Sequence, residues 1–183
     1  MTRWITVGLL AALAAACGHV TSQYHVARGA SGTFPYSSKG CSTDAAARVA
    51  VEDGRFFEAR APGRAEIECA DDTYLFDVQE VARIAIQRSA SGQDQAGYVA
   101  IELVAYDQSG RELYLGDHTE VVWEVPATLE QRGGCHGDIM PVCDPGYRIG
   151  VRPSAGGEHR VVARFAGRAA SFDLDGPVAR GPR

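Results

Sequence analysis

The sequence lacks the residue patterns that most enzymes and nucleic-acid-binding proteins need. It contains no G-x-S-x-G nucleophile elbow, no S-x-x-K, no H-E-x-x-H and no P-loop. Only one of its 18 basic residues is a lysine, and its 23 acidic residues give a net charge of −5. Nucleic-acid binding requires a clustered basic surface. We therefore expect no catalytic residues, no cofactor and no nucleic-acid partner.

The chain begins with an apolar run that is too short to be a stable membrane span, which needs about 20 residues. Residues 4–16 carry no charge and follow Arg3. A short apolar segment behind a basic residue is typical of a secretory leader. This predicts that residues 1–16 are removed and that the mature chain begins at Cys17.

Small residues stand directly before this cysteine, at positions 14–16. The stretch resembles the lipobox of bacterial lipoproteins, in which the cysteine thiol receives a diacylglycerol. The resemblance implies a lipid-anchored protein of the bacterial cell envelope, with the outer membrane favoured; a plainly secreted protein is the alternative. Several acyl chains, at about 0.8 kcal/mol per buried methylene, would hold a water-exposed body. Residues 17–30 are expected to be lipidated Cys17 and a polar tether.

Alternating apolar and polar residues indicate strands along most of the chain, whereas helical spacing is absent after the leader. In residues 64–69, the apolar positions Ala65, Ile67 and Cys69 alternate with charged ones, and residues 82–87 and 98–107 show the same period. Such runs end at turn-forming sequences, including EDG, APG and LGD. Short strands separated by turns predict an all-β, immunoglobulin-like sandwich.

Two stretches of the chain share one pattern at an offset of 96 residues. Residues 65–78 align without gaps with residues 161–174, and both stretches end in Phe-Asp followed by an aliphatic residue. The offset is close to the length of one immunoglobulin-like unit. We therefore predict an abbreviated unit at 31–79 and a fuller unit at 80–176 in tandem, followed by a flexible tail at 177–183.

A family resemblance supports this interpretation. Residues 51–67 follow the pattern V-x-x-G-x-Φ-x-x-A-x-x-x-G-x-A-x-I and resemble the second half of the bacterial immunoglobulin-like group 2 (BIG2) domain of invasin- and intimin-type proteins. The second unit is similar to the first half of such domains, through LVAYDQSG and VVW. The resemblance implies a non-catalytic structural, adhesive or protein-binding module. The matching residues of the first unit are Val51, Gly54, Phe56, Ala59, Gly63, Ala65 and Ile67.

Four cysteines remain once Cys17 is assigned to the lipid. An even number in an exported chain indicates disulfides. Three pairings are open, and we favour Cys41 with Cys69 and Cys135 with Cys143, because each pair then lies within one unit.

Zinc is the competing use of these cysteines. The ligands nearest one another in sequence are Cys135, His136, Asp138 and Cys143. The chain has no C-x-x-C pair and the expected compartment is oxidising, so we expect no metal site. A metal-dependent enzyme is thus the least favoured function, and His118 with Glu120 is expected to be solvated surface.

Residues 127–148, ATLEQRGGCHGDIMPVCDPGYR, form a predicted insertion in the second unit. Long loops in compact β domains are commonly functional. A Cys135–Cys143 disulfide would stiffen this loop and present Ile139, Met140 and Val142 at its tip. The alternative function is therefore a periplasmic binder or inhibitor that recognises an envelope protein through this loop, while a polysaccharide is the other expected ligand. The competing interpretation is an insertion stapled only against proteolysis.

Overall fold

In the part of the chain that the structure describes, the regular elements are β-strands apart from short turns, as the alternating pattern predicts. The structure is a computed structural model that describes residues 20–35, 38–70, 72–89, 97–133, 135–136, 142–143 and 145–174. The predicted leader, Cys17 and the tail 177–183 lie outside these ranges. The strands of the first unit are β1 (Val20–Ala27), β2 (Ser31–Thr33), β3 (Val49–Glu52), β4 (Phe56–Ala59), β5 (Gly63–Glu68) and β6 (Asp72–Gln79).

The first unit consists of two three-stranded sheets. One sheet has the order β1-β6-β5, in which β1 is parallel and β5 antiparallel to β6. The other has the order β2-β4-β3 and is antiparallel throughout. In a complete immunoglobulin-like unit a further strand would pair with the free side of β5. Among the described residues, this strand is reduced to one bridge, between Ser42 and Glu68. This reduction makes the first unit abbreviated.

The second unit has the strand order of a complete immunoglobulin-like domain. A four-stranded path, β11-β14-β8-β7, faces the three strands β10-β15-β16, and these two sets correspond to the four-plus-three arrangement of constant-type domains. The immunoglobulin-like sandwich is thus confirmed. Its strands are β7 (Arg83–Arg88), β8 (Val99–Tyr106), β9 (Glu112–Leu113), β10 (Val122–Glu124), β11 (Leu129–Arg132), β12 (Cys135–His136), β13 (Val142–Cys143), β14 (Arg148–Pro153), β15 (Arg160–Phe165) and β16 (Arg168–Asp173).

The N-terminal boundary of the first unit differs from the prediction. Residues 20–30 were expected to belong to the tether, but β1 pairs with β6 along all eight of its residues, and Val26, Ala27 and Ala30 have no exposed surface. The sequence pattern does not indicate this strand, because polar side chains dominate it. Its inward apolar positions include Tyr24 and Val26. The folded body therefore begins by residue 20.

The two aligned stretches form equivalent hairpins. Residues 65–78 lie in the antiparallel pair β5–β6, and residues 161–174 lie in the antiparallel pair β15–β16. Ala65 and Val161, which the alignment equates, are both buried. Gly54 and Gly63, the two glycines of the family pattern, have positive φ angles of 60° and 124°.

The favoured disulfide of the first unit is confirmed. Cys41 and Cys69 are bonded across 28 residues, with their Cα atoms 3.9 Å apart. Cys41 directly precedes the bridge residue Ser42, and Cys69 directly follows the last residue of β5. The disulfide therefore fixes the remnant of the missing strand to β5.

The two units share one hydrophobic core. The larger cluster combines aromatic residues of the first unit, among them Phe34, Phe57 and Phe76, with residues of the second, among them Leu103 and Phe165. Ring centroids in the aromatic part lie 5.0–6.4 Å apart, within the range of favourable aromatic pairs. A second cluster, which includes Ile101, Val151 and Leu174, lies within the second unit alone. The tandem units are therefore one packed body.

A shared core predicts that both units unfold together. Trp123 is the only tryptophan in the chain that follows Cys17, and it packs against both clusters of the core. Urea unfolding followed by its fluorescence should coincide with unfolding followed by far-ultraviolet circular dichroism, which reports the strands of both units. Two separated transitions would show that the units are independent.

Candidate functional site

The chain from β9 onward, before β10 begins, packs along the first unit. We call residues 112–120 the bridging segment. Tyr114 donates its backbone N–H to the carbonyl of His25 at 2.7 Å, and its own carbonyl accepts from Ala27 N–H at 3.0 Å. The segment therefore continues the sheet of the first unit beyond β1 and covers an edge that would otherwise be open.

The later half of the bridging segment covers the edge of the second sheet, at β2. The backbone N–H of His118 donates to the carbonyl of Ser31 at 3.0 Å. The hydroxyl of Thr119 accepts from Ser31 N–H at 3.0 Å and donates to the Ser31 carbonyl at 3.2 Å. Asp117 accepts from the backbone N–H and the hydroxyl of Thr33, at 2.6 and 2.8 Å. Side chains thus supply the bonds that a neighbouring strand would make.

Close packing holds the bridging segment against the first unit. Leu113 and Leu115 are 3% and 5% exposed and belong to the shared core. Gly116 has a φ of 43°, and a Cβ there would lie 2.4 Å from the carbonyl oxygen of Ser31, so the contact requires glycine. The pKa of the Tyr114 hydroxyl is raised to about 12, mainly because the group is buried and secondly because the Asp117 carboxylate is near.

The sequence indicates the turn at Gly116 but not its partner. The apolar alternation of Leu113 and Leu115 is typical of any strand, and Thr119 reads as a surface residue. Its burial depends on Ser31, which lies 88 positions away in the chain. No local signal reports such a contact.

The predicted insertion is shorter than residues 127–148. β11 and β14 pair in register as strands of the sandwich, so the extra chain comprises residues 133–147. Within it, the backbones of β12 and β13 pair antiparallel with Cys135 directly opposite Cys143. Val142 lies in β13, whereas Ile139 and Met140 lie outside the described residues. The second disulfide stays a prediction.

The base of the insertion is attached to the bridging segment. The indole N–H of Trp123 donates to the carbonyl of Gly146 at 3.1 Å, and the backbone N–H of Gly146 donates to the carbonyl of Asp117 at 3.3 Å. Tyr147 accepts from Leu103 N–H at 2.8 Å, and burial raises the pKa of its half-buried hydroxyl. The insertion therefore leaves the body at the junction of the two units.

A shallow groove of ≈ 560 Å³ lies beside the bridging segment on the first unit. The rings of Phe56 and His118 stack on its wall, with centroids 5.4 Å apart. The imidazole of His118 is exposed and lies 3.9 Å from the Asp117 carboxylate. Its charged lining residues are three glutamates, Glu52, Glu58 and Glu120, and one arginine, Arg60, so the groove carries a net negative charge.

The described side chains do not assemble a metal site. They contain no group of three or more His, Cys, Asp or Glu residues placed to hold an ion. The zinc set considered from the sequence, Cys135, His136, Asp138 and Cys143, falls outside the described side chains. No helix with the length and apolarity needed to cross a bilayer occurs in the described part of the chain.

Comparison with known proteins finds no matching family model and no matching curated protein. Solved structures similar to this chain include domains 4–9 of the surface-layer protein SbsC, with 15% identity over 86% of this chain and 30% of that chain, at a TM-score of 0.30. The Escherichia coli adhesin FdeC shows 14% identity over 82% of this chain and 60% of that chain, at a TM-score of 0.32. The CD2-binding domain of CD58 shows 11% identity over 90% of this chain and 100% of that chain, at a TM-score of 0.28.

This chain therefore spans less than a third of the SbsC fragment to which it is similar. The three similarities have low TM-scores and add no argument about function. The assignment of the fold rests on the strand order and register described above.

The buried hydroxyl of Thr119 gives a test of the junction. Thr119→Val keeps the shape of the side chain but leaves Ser31 N–H without its acceptor, which should lower the free energy of unfolding by about 1–3 kcal/mol. Thr73→Val is the matched control, because the Thr73 hydroxyl has no bond within the described part of the chain. Equal losses in urea unfolding would contradict the role of Thr119.

The backbone register of β12 and β13 predicts a second disulfide. Residues directly opposite in an antiparallel pair have Cα atoms about 4.5–5.5 Å apart, which suits a disulfide. Proteolysis and mass spectrometry of the unreduced native protein should yield a linked peptide that contains Cys135 and Cys143. Free thiols at these two residues would refute the pairing.

Proposed function

We propose that this protein is a non-catalytic lipoprotein of the bacterial cell envelope, whose immunoglobulin-like units form a structural, adhesive or protein-binding module. Residues 1–16 would export it, and lipid on Cys17 would attach it to a membrane, with the outer membrane favoured. An envelope protein or a polysaccharide is its expected partner. No cofactor or catalytic residue has a part in this proposal.

The shared core is the observation that carries the proposal. A linker between independent domains permits bending, whereas here the bridging segment is hydrogen-bonded to both sheets of the first unit. We expect such a body to resist bending between its two units. Stiffness without an active site is what a spacer or adhesive stalk needs. The fold alone does not specify a function, so it is these contacts that support the proposal.

The direction of the chain also favours a stalk. β1 runs from Val20 toward the junction, where Ala27 meets the bridging segment. β16 runs away from the junction. At the start of β16, the guanidinium of Arg168 donates to the carbonyl of Val81, which lies between the two units. Just past the end of β16, Leu174 packs in the second cluster, within the second unit alone. The first and last described residues therefore lie at opposite ends of the body.

The inserted hairpin supports a second candidate function, a periplasmic binder or inhibitor. Its base is held by Trp123 and Asp117 at the junction, so the loop projects from a fixed position. A Cys135–Cys143 disulfide would further restrict the chain between these residues, so that it would lose less conformational entropy when it binds a partner.

Lipidation is tested by Cys17→Ala. The wild-type chain should incorporate radiolabelled palmitate and fractionate with membranes, whereas the variant should incorporate none because the acceptor thiol is gone. Label retained by the variant would refute lipidation at Cys17. A wild-type chain found unlabelled in the soluble envelope fraction would refute the anchor.

The binding loop is tested by Ile139→Ser combined with Met140→Ser. If the loop recognises an envelope protein, the double variant should capture less of that protein from solubilised envelopes, because the apolar contacts at the tip are lost. Leu75→Ser is the control, since Leu75 is an apolar residue that is 36% exposed on β6 of the first unit. Equal capture by the wild type and the double variant would exclude the loop as the binding site.

A further inference from the structure

We infer that the end of the first unit that carries the Cys41–Cys69 disulfide lies against the headgroup surface of the membrane, with the second unit pointing away from it. This inference rests on the proposed lipidation of Cys17. It adds an orientation and a membrane-facing surface to the proposed anchor.

The length of chain before β1 carries the inference. The sequence alone predicts a tether of 14 residues, but β1 begins at Val20 and is paired with β6 from that residue onward. Three peptide units join Cys17 to Val20, and three fully extended units span at most about 11 Å. A folded body on so short a connection has little freedom to turn its first strand away from the bilayer.

The residues at this end can be identified from the pairing. Val20 is opposite Asp72, and Ala70, two residues before Asp72, donates its backbone N–H to the carbonyl of Lys39 at 3.1 Å. The N–H of Cys41 donates in turn to the carbonyl of Gly54. We define the membrane-facing end as residues 38–41, 53–55 and 69–70.

The chemistry of the membrane-facing end suits contact with headgroups. Lys39, Asp53 and Arg55 are exposed there, and Glu68 is exposed beside them. Charged side chains are costly in hydrocarbon, so this end would rest on the bilayer and would not enter it. The charges are of both signs, so attraction to anionic lipid contributes little. The short tether therefore sets the orientation, which should persist in high salt.

The opposite end of the body would stand well away from the membrane. β1 and β8 each have eight residues, or about 26 Å at 3.3 Å per residue, and the two units follow one another along the shared core. Gly156 lies in the turn between β14 and β15, at the far end of the second unit. This turn should lie about 50 Å farther from the bilayer than Lys39 does.

Lys39 allows a direct measurement, because it is the only lysine of the chain. The full lipidated protein would be labelled with an amine-reactive fluorophore and reconstituted into phosphatidylcholine vesicles that carry an acceptor on their headgroups. A Lys39→Arg variant measures labelling of any other amine. Lys39→Arg combined with Gly156→Lys moves the label to the far end, where a Cβ meets no atom within 4 Å.

Energy transfer from Lys39 should exceed transfer from the far label several-fold and should be unchanged by salt. Insertion of about 15 Gly/Ser residues between His19 and Val20 would add a mean separation of about 20 Å and should reduce transfer from Lys39. Equal transfer from both labels in protein that floats with the vesicles would overturn the orientation alone. Protein that does not float would overturn the lipid anchor, and the orientation with it.

Discussion

Thr119 lies fully buried between the two units, with its hydroxyl hydrogen-bonded to both backbone groups of Ser31. A buried hydroxyl is tolerated only where it has partners, so this residue fixes the position of the bridging segment. With Asp117, it covers the edge of one sheet of the first unit, while Tyr114 covers the edge of the other. The first unit would otherwise present two open strand edges, which are prone to aggregation.

The same contact explains how an incomplete unit is stable. The first unit lacks most of one strand and has few residues of its own with which to bury a core. Leu113 and Leu115 of the second unit fill part of that core, and the Cys41–Cys69 disulfide fixes the remnant of the missing strand at the other end. The first unit is thus stabilised at both ends, by a covalent bond and by its neighbour. A stiff, elongated body is the consequence on which the proposed envelope role depends.

Features that depend on neighbours in sequence could be predicted. The alternation of Ala65 and Ile67 in β5 follows from the two-residue period of a strand, and the repeated hairpins follow from the same pattern at an offset of 96 residues. The Cys41–Cys69 pair required only the assumption of one disulfide per unit. These features needed no knowledge of the tertiary fold.

Features that depend on distant partners could not be predicted. β1 is rich in polar residues and becomes a strand through β6, which follows it by 52 residues. β11 has Leu129 as its one buried position, so its sequence resembles a loop, and only its pairing with β14 shows that it is a strand of the sandwich. The sequence of the bridging segment is that of an ordinary turn, because nothing near Thr119 in the chain indicates that it contacts the first unit. Where pairing overrides local pattern, sequence alone misplaces the boundary.

The central claim is that the two units move as one body. Backbone ¹⁵N relaxation of the soluble chain that follows Cys17 measures this directly, because it reports the rotational diffusion of each amide. One elongated body predicts that amides of β5 and of β15 fit a single axially symmetric diffusion tensor with the correlation time of the whole chain. Separate tensors for the two units, each with the shorter correlation time of a small domain, would contradict the account.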